Sequence, residues 1–431
     1  MQYYIRNPKT KVVGPSSLLP PPLQRDTELY ARISKMCTLR ETMRERLKAQ
    51  SKTDDLSRIS TVLTAIQDYL SELHWYVNYV ETNKEAFKDM VGVDFIWKSA
   101  IVSKLHDTMG FSRARYGKRV NGGDSDGTNT TAVGLGARIL GGRTDKQKRT
   151  QSTSIYMELG FTLLALAVAK SMGAYSKVAT LDTEIECETV NIMTPGAKLV
   201  DDDAEMGVEA LKRASVELRE AAGIFQYIID HVLPHIRDIR LGVPDLTPDI
   251  QYMLQMLSLA DSDRLSVRVW LRTDRNRSKT PVMPANLLLG IQERYANAVT
   301  SLHTLQSGEF RSVSSKIQNY MRDGQLVILA QAMIYLAQVH SDNQKYGYAV
   351  GFMRDARDLL AEVRKHNNSV HARTAEMLLK GPLEPLYSLY RRNNDSIGFD
   401  PVPSSEDLRA RLPSGRALMS RAIQYSAPVT S

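Results

Sequence analysis

The chain has 431 residues, of which 42% are hydrophobic and 24% charged, and this composition excludes a disordered or fibrous protein. The net charge of +8 fits weak attraction to anionic lipid or to an acidic partner, but it does not by itself indicate nucleic acid. Two cysteines, Cys37 and Cys187, are too few for a disulfide scaffold and favour a reducing compartment. No apolar run approaches the roughly 20 residues that span a bilayer, and the N-terminus lacks the apolar segment of a signal peptide, so we expect a cytoplasmic protein.

The first hundred residues are predicted to be extended, then helical, then partly strand. Prolines at positions 8, 15 and 20–22 exclude a helix at the N-terminus. Apolar residues then recur at helical spacing over 27–49 and again, after a cap at Thr53, to about Asn83. These two helices should be antiparallel because only a short polar turn joins them. Short apolar runs at 95–97 and 100–102 are predicted to be strands.

Residues 110–151 differ in composition from the rest of the chain. They are rich in glycine and poor in large apolar residues, and they carry nine arginines and lysines against three aspartates. We expect a disordered, solvated insertion. Binding of nucleic acid or acidic lipid is the alternative, but the segment lacks the interleaved aromatic residues on which single-stranded nucleic acid stacks.

Further helices are predicted after this insertion. Residues 154–172 form an apolar core helix, and residues 204–231 form an amphipathic helix that Pro234 ends. Thr247-Pro248-Asp249 supplies an N-cap and a first-turn proline for the next helix. Another helix is expected over 286–305.

The stretch from Val313 to His366 predicts a helical hairpin. Residues 326–337 are apolar on almost every face, which indicates full burial, whereas residues 349–363 have one apolar and one charged face. This pattern is typical of tetratricopeptide-like hairpins, which need neighbours of the same type to bury their faces. Residues 369–393 form a last helical segment, interrupted at Gly381-Pro382, and the proline-rich tail 396–431 should lie extended over the body.

No catalytic motif stands out in the sequence, and we expect no cofactor and no metal. His231 and His235 have the spacing of helical metal ligands, but Pro234 breaks the helix between them and no third ligand is near. One further pattern is a basic helical stripe, which is either a solvated face or a contact for an acidic partner or membrane. Its members are Arg264, Arg268, Arg272 and Arg275.

Several segments in order resemble the BRO1 domain family, the endosomal module of ALIX, of BROX and of a fungal pH-response scaffold. The most similar is the end of a long helix, Arg219 to Ile228, with its Ala-Ala-Gly-Ile-Phe run, followed by His231-Val232-Leu233-Pro234. The other similar segments are Arg6-Asn7-Pro8, Glu158 to Ala169, Thr247-Pro248-Asp249, Val327 to Leu360, Phe399 to Pro403, Asp407-Leu408 and Leu412-Pro413. The resemblance therefore covers nearly the whole chain.

The resemblance implies a mainly α fold: a curved, boomerang-shaped body of tetratricopeptide-like hairpins with a small sheet inserted near the N-terminus. It also implies a non-enzymatic adaptor of endosomal sorting, peripheral on endosomes, whose groove receives the C-terminal amphipathic helix of an ESCRT-III subunit. Leu287 and Ile291, spaced i, i+4, are the implied anchors, and Leu288 joins them depending on register. The alternative is that these residues belong to the core. No nucleic-acid partner is implied.

The chain departs from the family pattern in ways that put the ESCRT-III contact in doubt. Ser266 falls on or near the position of a patch aromatic residue, and the connection from Asp274 to Pro284 is basic and proline-broken. The prenylation signal of BROX is absent from the C-terminus, and we expect a single domain over residues 1–431. The alternative function is a helical signalling scaffold, in a pH-response or small GTPase pathway, that has lost ESCRT-III binding. An enzyme with an unrecognised site is the third hypothesis.

Overall fold

The computed structural model describes residues 5, 8–53, 58–88, 94–102, 149–179, 204–236, 244–273, 282–305, 313–366, 370–415 and 420–428. The bulk of the predicted basic insertion 110–151 and residue Arg275 lie outside these ranges. Long helices build the body: α1 (Thr27–Thr53), α2 (Ile59–Thr82), α4 (Ile155–Ala179), α5 (Ala204–Tyr227), α6 (Pro248–Thr273), α7 (Val282–His303), α8 (Ser315–Asp342) and α9 (Tyr346–Arg364). The shorter helices are α3 (Lys84–Phe87), α10 (Val370–Leu378), α11 (Glu384–Asn393) and α12 (Ser405–Ala410).

Consecutive long helices are neighbours in space. α1 packs on α2, α2 on α4, and each helix from α4 to α9 then packs on the next. Such nearest-neighbour packing is the arrangement of a helical stack. The predicted fold class, mainly α with helical hairpins and a small sheet near the N-terminus, is confirmed.

A small antiparallel sheet lies beside the first helices. Its strands β1 (Lys9–Thr10), β2 (Phe95–Lys98) and β3 (Arg149–Ser152) are arranged in the order β1-β2-β3. Trp97 pairs with Thr10 on one side and with Thr150 on the other. The prediction of a strand at 95–97 is confirmed, whereas residues 149–151, expected to be disordered, form most of β3.

The second predicted strand, at 100–102, is wrong. The backbone N–H of Ala100 donates to Asp245 Oδ1 over 2.6 Å, and the N–H groups of Ile101 and Val102 donate to Ser99 Oγ. In the part of the chain that the structure describes, this run forms one isolated bridge, from Val102 to Val313. Side chains thus take the hydrogen bonds that a strand would give to a neighbouring strand.

A buried ion pair fixes the sheet to the helices. Glu158 of α4 is fully buried and accepts hydrogen bonds from Arg40 Nε of α1 over 2.8 Å, from the Tyr69 hydroxyl of α2 over 3.0 Å and from Trp97 Nε1 over 2.6 Å. Arg40 in turn donates to Thr10 Oγ1 over 2.7 Å and to the Lys11 carbonyl. One carboxylate therefore connects two strands and three helices.

The hydrophobic core follows the predicted apolar faces. One contiguous cluster extends along the stack and contains most of the buried residues of α4 and of the α8–α9 hairpin. Residues 157–169 are all buried, so the predicted core helix is confirmed. Within the described ranges, the segment Ile155–Val178 is the one that by length and composition could cross a membrane, and 78% of its most apolar window is buried inside the protein.

Helix boundaries differ from the predicted ones where tertiary contacts extend a helix. Thr53, predicted to cap the second helix, is instead the last residue of α1, and α2 begins after Arg58 without a side-chain cap. α4 continues to Ala179, beyond the predicted end at 172, because Ala174 and Val178 pack against α5 and α6 in a second, smaller cluster. The predicted interruption at Gly381-Pro382 is present, with non-helical φ/ψ at Gly381.

Candidate functional site

The three apolar residues predicted to contact a partner lie on α7 and are buried. The exposed fraction is 7% for Leu287, 5% for Leu288 and 0% for Ile291. All three belong to the main hydrophobic cluster. In this structure they are core residues, which is the alternative that the sequence left open, and their contact with a partner stays a prediction.

Ser266 lies on α6 at the contact with α5. Its hydroxyl donates to the Ser262 carbonyl over 3.1 Å and lies 3.4 Å from the Ser215 hydroxyl of α5. The Ser215 and Ser262 hydroxyls are themselves 2.8 Å apart. Three serine side chains, Ser215, Ser262 and Ser266, therefore meet on or near the position at which the family resemblance leads us to expect an aromatic residue. A role for Ser266 in partner binding stays a prediction.

Arg264, the first residue of the basic stripe predicted on α6, is buried and does not lie on a solvated face. Arg264 is 9% exposed, and its Nη1 lies 3.3 Å from the Tyr295 hydroxyl and 3.8 Å from Asp261 Oδ1. The prediction of a surface position is wrong for Arg264, because a carboxylate one turn earlier holds its guanidinium inside the helix stack. Arg268 is half-buried; the side chain of Arg272 and all of Arg275 are outside the described part of the chain.

Asp261 is the centre of a buried polar cluster that links three helices. It accepts hydrogen bonds from Tyr295 of α7 over 2.6 Å and from Tyr320 of α8 over 3.0 Å. Burial raises the pKa of Asp261 despite the opposing effect of Arg264. His371 of α10 packs on Tyr320 with ring centroids 4.7 Å apart, and burial lowers its pKa, so the imidazole is neutral. Since Asp261 and His371 are both closed to solvent, the cluster is part of the core and offers no accessible acid or base.

The C-terminal tail lies across α7 and α6. Gly415 lies so close to α7 that an added Cβ atom would be 2.5 Å from the backbone nitrogen of Gly290. Arg294 of α7 donates from Nη2 to the Ser420 carbonyl over 2.9 Å, and its Nε is 2.8 Å from Asp263 Oδ2 of α6. Burial raises the pKa of Asp263 to about 6. The tail therefore covers an ion pair between two helices of the predicted site.

The tail then crosses α5. Its Ile423 N–H donates to the Arg219 carbonyl over 3.0 Å, and Arg219 Nε donates to the Arg421 carbonyl over 2.9 Å. Gly223 admits this approach, because a Cβ atom there would lie 1.7 Å from the Ile423 carbonyl oxygen. These contacts are made by main-chain atoms of the tail and depend little on its side chains.

Tyr425 fixes the last part of the tail to α5 and α2. Its ring meets Tyr227 edge-on at 5.0 Å, and its hydroxyl is 3.3 Å from His74 Nε2. Burial lowers the pKa of His74 to about 4, so the imidazole is neutral at physiological pH. The tyrosine is thus held by ring packing and one neutral hydrogen bond.

An exposed apolar tip at residues 397–402 is not predicted from the sequence. Phe399 is 76% exposed and Ile397 is 66% exposed. Phe399 has a φ of +49°, in the left-handed region that favours glycine, and its N–H donates to the Asn394 carbonyl over 2.7 Å. This hydrogen bond closes the turn that carries the tip. Gly398-Phe399-Asp400-Pro401 carries the only sequence signal, a turn next to proline.

Among the described residues, no group of three or more histidines, cysteines, aspartates or glutamates is placed to hold a metal ion. The His231 ring is tilted by 42° against the ring of Tyr227, with centroids 4.7 Å apart, and His235 stacks on Tyr156 at 4.3 Å. The two histidines thus pack against different aromatic rings.

Comparison with known proteins settles the family. The sequence model of the BRO1-like domain matches residues 193–429, which is more than half of the chain. The chain belongs to the BRO1 domain family. Over 255 residues it is 24% identical to programmed cell death 6-interacting protein from Xenopus laevis, and this match covers 58% of the chain but only 27% of that relative.

Solved BRO1 structures share the fold. The chain superposes with a TM-score of 0.64 on the structure of an ALIX BRO1 CHMP4C complex, at 15% identity and over 99% of this chain and 96% of that one. A structure that describes endosomal targeting by the Bro1 domain matches with a TM-score of 0.60 at 13% identity, over 98% of this chain and 93% of that one. A third, of ALIX with a late-domain peptide, is covered to 50% of its length with a TM-score of 0.65 and 15% identity. The predicted family is thereby confirmed, and these distant likenesses establish the fold.

Proposed function

We propose that this BRO1 domain protein is a non-enzymatic adaptor of endosomal sorting that binds the C-terminal amphipathic helix of an ESCRT-III subunit. One observation carries the proposal. The fold superposes over 99% of the chain on an ALIX BRO1 structure that was solved as a complex with CHMP4C.

The proposed contact is helix α7, with Leu287, Leu288 and Ile291 as anchors. Ser266 of α6, which lies at the contact with α5, is the fourth residue of the proposed site. An amphipathic helix that binds in a groove presents apolar residues at i, i+3 and i+4, and it needs apolar residues opposite them. Since the three anchors are at most 7% exposed, binding requires a movement that uncovers part of α7. The apparent affinity is the intrinsic affinity multiplied by the fraction of molecules in which α7 is uncovered.

We further propose a peripheral contact with acidic endosomal membrane. The net charge of +8 and the basic residues Arg268, Arg272 and Arg275 support this contact, as does the similarity to the Bro1 domain solved in connection with endosomal targeting. Basic side chains near an anionic surface each contribute about 1 kcal/mol, and salt screens the attraction. Binding to phosphatidylserine vesicles should therefore fall steeply between low and physiological salt, which flotation assays measure.

The experiment that tests the adaptor is titration calorimetry of the full chain with a peptide of the CHMP4C C-terminal helix. Leu287→Ala is the site variant, and Met283→Ala is its matched control, because Met283 lies one turn earlier on α7 and is 45% exposed. We expect the dissociation constant to rise about fivefold or more for Leu287→Ala, since central apolar anchors carry most of the energy, and to change less than about twofold for Met283→Ala.

Circular dichroism melting of each variant separates lost binding from lost folding. No heat of binding at high peptide concentration, either from the wild type or from Gly223→Ala, in which the added Cβ atom displaces the tail from α5, would refute the adaptor proposal. Wild-type binding that Leu287→Ala leaves unchanged would keep the adaptor but place its contact elsewhere.

The alternative is a helical signalling scaffold, in a pH-response or small GTPase pathway, that has lost ESCRT-III binding. The burial of Leu287, Leu288 and Ile291 favours it, because a closed α7 offers no ready groove. Affinity capture with the full chain distinguishes the two functions. Recovery of a signalling protein without any ESCRT-III subunit, together with a silent CHMP4C titration, would support the scaffold.

A further inference from the structure

We propose that the C-terminal strap, defined as residues 411–415 and 420–428, competes with the partner helix for the face built by α5, α6 and α7. In this arrangement the strap inhibits binding, and a partner binds when the strap leaves. The inference rests on the proposed adaptor function and adds a means of regulation to the same site.

The strap passes over the face of α7 that carries Leu287. It touches α7 at Gly290, through Gly415, and at Arg294, through the Ser420 carbonyl. Positions 287, 290 and 294 are spaced i, i+3 and i+7, so they share one face of the helix. A helix that docked on Leu287 would therefore meet the strap.

The strap is held mainly by hydrogen bonds to its main chain. Arg294 and Arg219 bind the carbonyls of Ser420 and Arg421, and the Ile423 N–H binds the Arg219 carbonyl. Within its described residues, Leu412 and Tyr425 are the ones that pack on the main hydrophobic cluster, and both are only partly buried. Main-chain hydrogen bonds at a surface are readily exchanged for bonds to water, so the strap can detach without unfolding the body.

A buried charge beneath the strap also favours release. Asp263 is 0% exposed and pairs with Arg294, whose guanidinium also binds the strap. Burial raises the pKa of Asp263, which means that its ionised form is held at a cost in hydration. Departure of the strap removes a hydrogen bond from the Ser420 side chain to Asp263, but it returns water to the ion pair, which offsets part of this loss.

Gly223 supplies a direct way to displace the strap. A Cβ atom at this position would be 1.7 Å from the Ile423 carbonyl oxygen and 2.7 Å from its carbonyl carbon, so the strap backbone has to move away. The same change favours α5 itself, because alanine is a better helix former than glycine. Gly223→Ala should therefore open the strap and leave the body folded.

The test uses the full chain as wild type, Gly223→Ala, Tyr425→Ala and the matched control Gly173→Ala. Gly173 lies within α4, and a Cβ atom there would first meet the flexible Glu217 carboxylate at 3.3 Å. Hydrogen exchange of residues 420–428 reports strap release, and calorimetry with the CHMP4C helix peptide reports binding. We expect faster exchange and at least about fivefold tighter binding for Gly223→Ala and Tyr425→Ala, with Gly173→Ala equal to the wild type.

Each other outcome overturns the competition. Faster exchange with unchanged or weaker binding would show that strap and partner do not share a face, and the adaptor function would survive on the wild-type binding. Faster exchange with no binding by any variant would refute the adaptor and the strap together. Unchanged exchange in both strap variants, in folded protein, would show that the strap is not seated at Gly223 and Tyr425.

Discussion

Replacing Glu158 with glutamine should cost more stability than any surface change in this protein. The carboxylate is 0% exposed, and it accepts from two guanidinium nitrogens of Arg40, from Tyr69 and from Trp97. Glutamine keeps the shape but removes the charge and presents an NH₂ group to some of these donors. Arg40, 2% exposed, would then be a buried charge without its counter-ion.

The expected magnitude follows from this loss of pairing. Breaking a buried ion pair by removing one partner costs about 3–5 kcal/mol, because the remaining charge stays buried and unpaired. Arg40→Met should cost a similar amount. The double variant should cost less than the sum of the two by about 2 kcal/mol or more, since both charges leave together. The exposed pair Arg213–Glu209, with side chains 69% and 53% exposed, is the control, and Glu209→Gln should cost below about 0.5 kcal/mol.

Urea unfolding of the four proteins and the control, followed by circular dichroism and tryptophan fluorescence, measures these free energies. Trp97 donates to Glu158 over 2.6 Å and is one of three tryptophans, so part of the emission comes from this cluster. A loss below about 1 kcal/mol for Glu158→Gln, or strictly additive losses in the double variant, would refute the claim that this ion pair holds sheet and helices together.

Three further changes test other parts of the structure. Burial raises the pKa of Asp263 to about 6, above its value in the unfolded chain, so the folded state binds this proton more tightly. The group therefore adds about 1 kcal/mol to the free energy of unfolding as the pH falls from 7.5 to 5. Urea unfolding at the two pH values should show this gain in the wild type and not in Asp263→Asn. Phe399→Gly should raise the free energy of unfolding by up to about 1 kcal/mol, because glycine relieves the backbone strain at a φ of +49° and the exposed Phe399 ring contributes little packing. A clear fall in the free energy of unfolding would show that the backbone is not strained at this residue. Gly347→Ala should destabilise the protein by about 1–3 kcal/mol, since its Cβ atom would lie 2.5 Å from the Pro401 carbonyl oxygen. The control Gly14→Ala, which has open space around it, should change the stability by less than about 0.5 kcal/mol. Equal melting temperatures of the two variants would argue against a close contact between Gly347 and Pro401.

Local periodicity predicts the helices well because most of them bury a continuous apolar face. The α8–α9 hairpin is recognisable from residues 326–363 alone. Errors arise where a distant residue decides the local structure. Asp245 takes the N–H of Ala100, from 145 positions away, and prevents the second predicted strand. No pattern within 95–102 contains that information.

The candidate site is harder to predict than the fold. Spacing at i, i+4 identifies Leu287 and Ile291 as apolar neighbours, but it does not tell a groove from a core. Arg264 has the spacing of a surface stripe, because the sequence does not show that Tyr295 and Asp261 surround it. One sequence feature does indicate the path of the tail. Glycines such as Gly223 and Gly347 lie inside helices at positions where the tail crosses them.

The path of the tail also has a consequence for the order of folding. Its described residues Pro401, Gly415, Ile423 and Tyr425 contact α9, α7, α5 and α2 in turn, and the last contact joins residues 351 positions apart. The helix surfaces that the tail contacts do not exist until the helices have packed together, and contacts between residues so far apart in sequence form slowly. Docking of the tail therefore completes the assembly, and protection of residues 420–428 from a protease would mark molecules in which the whole stack has formed.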